Sequence, residues 1–142
     1  MKLVITSPNL QREQQFAAAF AKRLEDAVCK PAVLEESTQA EEKVKEAMPV
    51  DTGRARSSWG HWTPGLMVKD NPDAKASDAV WEVENDGMAI IQGTSVPYTP
   101  QLNEGSSRQA PAGFVDSIAL LALEDLEKEV GDGAERLWGG GL

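Results

Sequence analysis

Apolar residues recur along the first part of the chain at the spacing that gathers them on one side of a helix. Phe16, Phe20, Leu24, Ala27 and Val28 follow one another at intervals of four, four, three and one, with Gln, Arg, Lys, Glu and Asp between them. That is one packing face of an amphipathic helix. Ser7 supplies an N-cap and Pro8 the first helical position, because the serine oxygen satisfies an orphan amide and proline has no amide to leave unpaired. Ahead of them, Met1 to Ile5 is a short apolar run that reads as a strand added to a sheet or as a segment docked on a neighbouring subunit. Pro31 removes a ladder hydrogen bond and crowds the carbonyl four residues back, so the helix is expected to bend or break near Cys29 and Lys30. The helical segment that follows carries sparse apolar positions, Leu34, Ala40, Val44, Ala47 and Met48, among charged ones, and most of its surface is expected to be solvated.

Past Pro49 the periodicity changes. The residue before a proline is driven out of the helical region, and Asp51, Thr52 and Gly53 then form a structural turn of the Asx type, with Asp51 capping backbone amides. Alternation over residues 55 to 62 predicts a strand with Trp59 and Trp62 on opposite faces, ended by Pro64-Gly65. Residues 69 to 78, KDNPDAKASD, read as an exposed loop. Val80 to Glu84 alternates, Asn85-Asp86-Gly87 is a hairpin turn, and Met88 to Gln92 resumes as strand, giving a meander of about three strands.

Val96 to Val115, VPYTPQLNEGSSRQAPAGFV, separates that sheet from the most apolar helix. Pro97, Pro100 and Pro111 fix φ, while Gly105 and Gly113 admit backbone conformations closed to other residues, so the segment is a shaped surface loop of the kind that contacts a partner. Tyr98 is expected to pack its ring on the sheet and to pair its hydroxyl with the backbone. In the helix that follows, Val115, Ile118, Ala119, Leu121, Ala122, Leu126 and Val130 form a broad stripe, with Leu120 and Leu123 beyond its edges. Such a stripe belongs either to a fully buried core helix or to one that partly contacts another subunit. Gly131 and Gly133 are expected to end the helix, leaving 131–142 as a flexible Gly-rich tail whose Trp138 anchors to a neighbour, behind a single domain at 1–130. The implied fold class is α+β, with two N-terminal helical segments and a C-terminal helix flanking a small antiparallel β-sheet.

A chain of 142 residues, 41% hydrophobic and 26% charged, can bury a core without metal or disulfide support. Its net charge of -9, from 23 acids against 14 bases, argues against a free-standing nucleic-acid binder, since phosphate contacts need clustered Lys and Arg. An acidic wall does allow a polyanion to slide past without sticking. Cys29 is the lone cysteine, and neither a leader pattern nor a membrane-length apolar run is seen, so the protein is expected to be cytosolic when made.

Two blocks carry a resemblance. LNEGSSRQAPAGFV together with PYTP, and PVDTGRARSSW at 49 to 59 upstream, resemble in sequence and order the neck or tail-completion (head-tail joining) proteins of long-tailed bacteriophages, over residues 40 to 130. The long, charged 66–79 segment departs from that pattern. The resemblance implies a virion structural and assembly protein rather than an enzyme, made in the host bacterial cytoplasm and placed at the head-tail junction. Its implied partners are itself, in a hexameric ring with a twelve-fold ring as the alternative, and tail-tube or terminator and head-connector proteins. Genome DNA would pass through the lumen without specific binding. No cofactor, metal or membrane is implied. The interface is expected at Tyr98, Glu104, Gly105, Arg108, Gln109, Pro111 and Phe114 of the loop, with Trp138.

Other residues invite sharper chemistry. Asp51-Thr52-Gly53 spells the triplet of aspartic proteases, where two such carboxylates share a proton, and a virus-encoded protease that dimerises around it is the alternative function. The helical half before it and Arg54 after it do not suit that site, which lies on a loop leaving a strand. His61, the only histidine, reads as a sheet-face residue beside Trp59 and Trp62, and Cys29 as a small core residue rather than a nucleophile. Arg54, Arg56 and Arg108 either pair with carboxylates across a subunit boundary or sit in solvent.

Overall fold

A computed structural model of the protein describes residues 1–3 and 10–139, and the N-cap at Ser7, the Pro8 helix start and the end of the Met1 to Ile5 run lie outside them. Helix α1 (Leu10–Leu24) passes without interruption through a π-helical turn, Glu25–Cys29, into α2 (Lys30–Ala47). The π turn is how the chain accommodates Pro31. Lys30 donates its N–H to the Glu25 carbonyl, five residues back, and Leu24, Cys29 and Lys30 all keep helical φ and ψ. Lengthening one turn resets the ladder ahead of the proline, so the helix neither breaks nor ends there.

The expected strand over 55–62 is not formed. Arg54–Ser57 is instead one turn of helix, α3, entered from Gly53 at φ 89° and closed by Ser57 N–H on Gly53 O at 2.8 Å and Ser58 N–H on Arg54 O at 3.2 Å. Local hydrogen bonds claim the amides that a sheet would have needed. The sheet is therefore two-stranded: β1 (Ala79–Glu84) and β2 (Ala89–Thr94) pair antiparallel, with Ala79 opposite Thr94 and Glu84 opposite Ala89. The hairpin turn is where the sequence puts it, with Asn85, Asp86 and Gly87 all at positive φ. A short helix α4 (Thr99–Asn103) follows inside the proline-rich loop, and α5 (Phe114–Gly139) completes an α+β fold.

Helix α5 runs straight through Gly131 and Gly133, contrary to the expected stop. The reason is packing. A Cβ on Gly133 would sit 2.5 Å from Val28 Cγ1, so this glycine lets α5 lie against the π turn, and a glycine within a helix costs only about 1 kcal/mol. The segment from residue 131 to 139 is thus helix rather than flexible tail.

The core is small and sits where the end of α2, α3, the loop and the start of α5 converge. Val44, Met48, Ala55, Trp59, Val96, Ala110 and Phe114 form it, flanked by Ala47, Leu102, Val115 and Ile118. Val96 and Ala110 come from the loop and Phe114 from the first turn of α5, so the loop is part of the core and not only a surface. Farther out, burial falls away quickly. Phe16 on α1 is 49% exposed, and in α5 only Phe114 and Gly133 are buried. No helix among the described residues is long and apolar enough to cross a membrane.

Candidate interaction surface

The two sequence blocks meet. The Gln109 side-chain amide takes both backbone groups of Val50, accepting from its N–H at 2.9 Å and donating to its carbonyl at 3.1 Å. Since Ala55, Trp59, Val96, Ala110 and Phe114 share one core, residues 49–59 and 96–114 form a single unit. Within the turn, Thr52 rather than Asp51 does the work. Thr52 Oγ1 accepts from Arg54 N–H, and its carbonyl accepts from Val68 and Lys69, whereas Asp51 is an exposed carboxylate 3.5 Å from Lys69 Nζ. Gly53 is required here: any Cβ would stand 2.5 Å from the Leu66 carbonyl oxygen, at a φ that side chains avoid.

The arginines of this block are committed inside the subunit. Arg54 pairs with buried Asp78 through Nε at 3.1 Å and through its terminal nitrogen at 3.4 Å. Asp78 lies at the end of the segment read as an exposed loop, and it is 2% exposed. Burial pushes its carboxyl up, but the Arg54 hydrogen bond and charge, with the Lys75 amide, outweigh that and hold it below the usual range. Arg56 donates to the Glu46 and Met48 carbonyls at the C-terminal end of α2, a capping role that also suits a helix dipole. Both arginines thus bond within their own chain rather than standing free in solvent. The indole of Trp59 donates to Gln92 at 2.8 Å, and Gln92 donates in turn to the Ser37 carbonyl at 2.7 Å, which fastens the hairpin to α2.

The loop is closed by a residue that sequence reasoning missed. Asn103 accepts Val115 N–H on its side-chain oxygen at 2.9 Å, donates to Asp116 at 2.9 Å, and takes Gly113 N–H on its carbonyl. An Asn eleven residues before a helix start offers no local signal for this. Of the expected interface residues, Tyr98, Glu104, Gly105, Arg108 and Pro111 lie on the surface, and Gln109 is exposed while clamping Val50. Gly105 and Gly113 take the positive φ expected of them. Phe114 does not belong to a surface. At 3% exposure it is a core residue, because α5 begins by burying it under Trp59 and Val96. Trp138 packs edge-on against Phe20 and Phe16 of its own chain, with ring centroids 5.3 and 6.4 Å away, and still remains 65% exposed.

An apolar groove of about 470 Å³ lies between α2, β2 and α5, floored by Val44, Trp59 and Ile118 and edged by Met88, Leu123 and Leu126. Glu36, from α2, also lines it. Outside the groove Leu120 and Leu121 are 60% and 52% exposed, so α5 is not the fully buried helix that one reading of its stripe allowed. At the α2–α5 boundary Glu35 and Glu129 approach closely enough for Glu129 to raise the Glu35 carboxyl above its ordinary value.

A polar cluster sits beyond the groove. Glu41 accepts from Lys45 at 3.0 Å and meets His61 Nδ1 at 2.7 Å, while Lys45 also reaches the His61 carbonyl and Thr63 Oγ1. The His61 ring tilts against Trp81 at 4.3 Å. These contacts tie α2 to the turn after α3 and orient the imidazole. Cys29 is distant in the chain, half-buried in the π turn. Among the described residues no three His, Cys, Asp or Glu side chains gather as a metal site. No family model, curated protein or solved structure matches the chain.

Proposed function

We propose that this chain is a virion structural and assembly protein that forms a ring at the head-tail junction of a long-tailed phage, as neck or tail-completion subunit. The observation that carries the reading is the joining of the two family-like blocks: Gln109 on Val50 and a shared core make one rigid surface from residues 49–59 and 96–114. A surface this firmly built, with Tyr98, Glu104, Arg108 and Pro111 exposed on it, suits a docking role. The acidic balance of the chain suits a subunit beside passing DNA. Asp51, exposed and facing Lys69, stands in a setting unlike a proton-sharing carboxylate pair.

The test uses a phage lacking this chain, supplied with wild-type protein or with Glu104→Arg/Arg108→Glu, whose substitutions touch nothing in the core. Wild type restores infectivity. The variant is expected to fold normally yet leave filled heads and separate tails. Wild-type titres from the variant would refute the loop as the joining surface, and failure of the wild-type chain to appear in particles would refute the virion role.

A further inference from the structure

The structure leaves two complementary features unfilled on one chain. Arg12, Phe16, Phe20 and Arg23 follow at spacings of four, four and three, a single stripe on α1, and Phe16 and Phe20 meet only the exposed Trp138 of α5 among the described rings. This makes an aromatic stripe, exposed at Phe16 and half-buried at Phe20, bracketed by arginines. Elsewhere lies an apolar groove with Glu36 in its lining. Glu36 is 9% exposed, and among the described residues no Lys, Arg or His stands within salt-bridge distance of it. A carboxylate on the wall of an apolar groove, with no cation of its own chain beside it, offers a charge partner to whatever fills the space. Charge is complementary on the larger scale as well: residues 1–24 hold four bases and one acid, and residues 114–139 hold seven acids and two bases.

We propose that the groove between α2, β2 and α5 is the seat for the α1 stripe of a second copy, with Phe16 and Phe20 in the groove and a bracketing arginine against Glu36. The donor surface is on α1 and the acceptor between α2, β2 and α5, so the contact can run head to tail from copy to copy, the form that closes a ring. The crowding of Glu35 and Glu129 at the α2–α5 boundary is relieved by the same incoming arginines. The inference rests on the self-association in the reading above, but not on a phage role.

The experiment uses the full chain carrying Cys29→Ser, folded by circular dichroism, in two versions: one with Phe16→Cys, the other with Leu123→Cys. A short bismaleimide should link the two versions when mixed and should link neither with itself, because each then lacks one partner thiol at the contact. Sedimentation adds an independent measure. Glu36→Arg should weaken self-association at least about thirtyfold, the lower end of what loss of a buried charge partner costs, and adding Arg12→Glu/Arg23→Glu should restore it. A chain that stays monomeric overturns the proposal, and so do cross-links of Leu123→Cys to itself or a charge reversal without rescue. Cross-linking in purified protein together with absence from virions would remove the phage role and leave this contact standing.

Discussion

Cutting the Arg54–Asp78 bridge should cost more from one side than from the other. The Asp78 side chain is 2% exposed and that of Arg54 15%. Replacing Arg54 by Met leaves a buried carboxylate with only the Lys75 amide and the Ser95 hydroxyl, each at 3.4 Å, whereas Asp78→Asn leaves a guanidinium that keeps some water. Removing one partner of a buried pair costs about 3–5 kcal/mol, so Arg54→Met belongs near the upper end and Asp78→Asn near the lower. Either is a large share of the about 5–15 kcal/mol that holds a small domain together, and the milder one should lower Tm by about 10 °C. Urea unfolding followed by tryptophan fluorescence measures both. Acid provides a second handle. Because the folded-state pKa of Asp78 is depressed, the bridge contributes fully above the unfolded value of about 3.9 and its contribution is lost as pH falls through the folded value. The stability gap between wild type and Arg54→Met should therefore close on acidification below about pH 4. A loss under about 1 kcal/mol in both variants would refute this account, as would Asp78→Asn proving the worse.

Helix α5 offers an internal control: Gly131→Ala, with open space around it, should stabilise by about 0.5–1 kcal/mol, while Gly133→Ala should gain nothing or destabilise because its methyl meets stiff Val28, and thermal melts of the pair should diverge. Asp51→Asn should leave stability within about 0.5 kcal/mol of wild type in urea titrations, since the carboxylate only faces Lys69 in solvent. Gln109→Ala removes both hydrogen bonds to Val50 and should cost about 1–2 kcal/mol by the same measurement, a value near zero meaning that water replaces the clamp.

Local rules carried the fold as far as local interactions decide it. Asn85-Asp86-Gly87 announces a hairpin because few other residues tolerate successive positive φ, and the structure uses all three. Ala55, Ser57 and Trp59 alternate with Arg56 and Ser58, and nothing in that spacing distinguishes a strand from a helical turn whose serines bond back to Arg54. Long-range pairing is harder to see. Asp78 ends a run of exposed polar residues, and its partner lies 24 positions away, so its burial has no trace in composition. The candidate surface was legible as a loop but not as a joined unit, since the Gln109–Val50 clamp spans 59 positions. Phe114 was misplaced for a related reason: at the boundary of loop and helix, only the tertiary direction of α5 decides which way a side chain points.

Helix α1 raises a question of stability that bears on how the subunit associates. It is 15 residues long, and a helix of about 12–15 residues is marginal in water unless packing supports it. Within the chain its apolar face meets Trp138, and Phe16 keeps 49% of its surface exposed. What sustains α1 is continuity: the π turn carries the ladder from α2 without a break, so α1 extends an existing helix and avoids the unfavourable nucleation step. Extension alone leaves its far end prone to fray. Amide exchange should accordingly be fast from Leu10 toward Phe16 in dilute protein, slower toward the π turn, and slowest across Val44 to Met48 in the core. Raising the concentration should protect the Phe16 region selectively if a second copy covers it, and Glu36→Arg should abolish that protection while sparing the core. Protection of Phe16 that is already strong in dilute protein would mean that contact with Trp138 suffices, and α1 would then have no need of a partner.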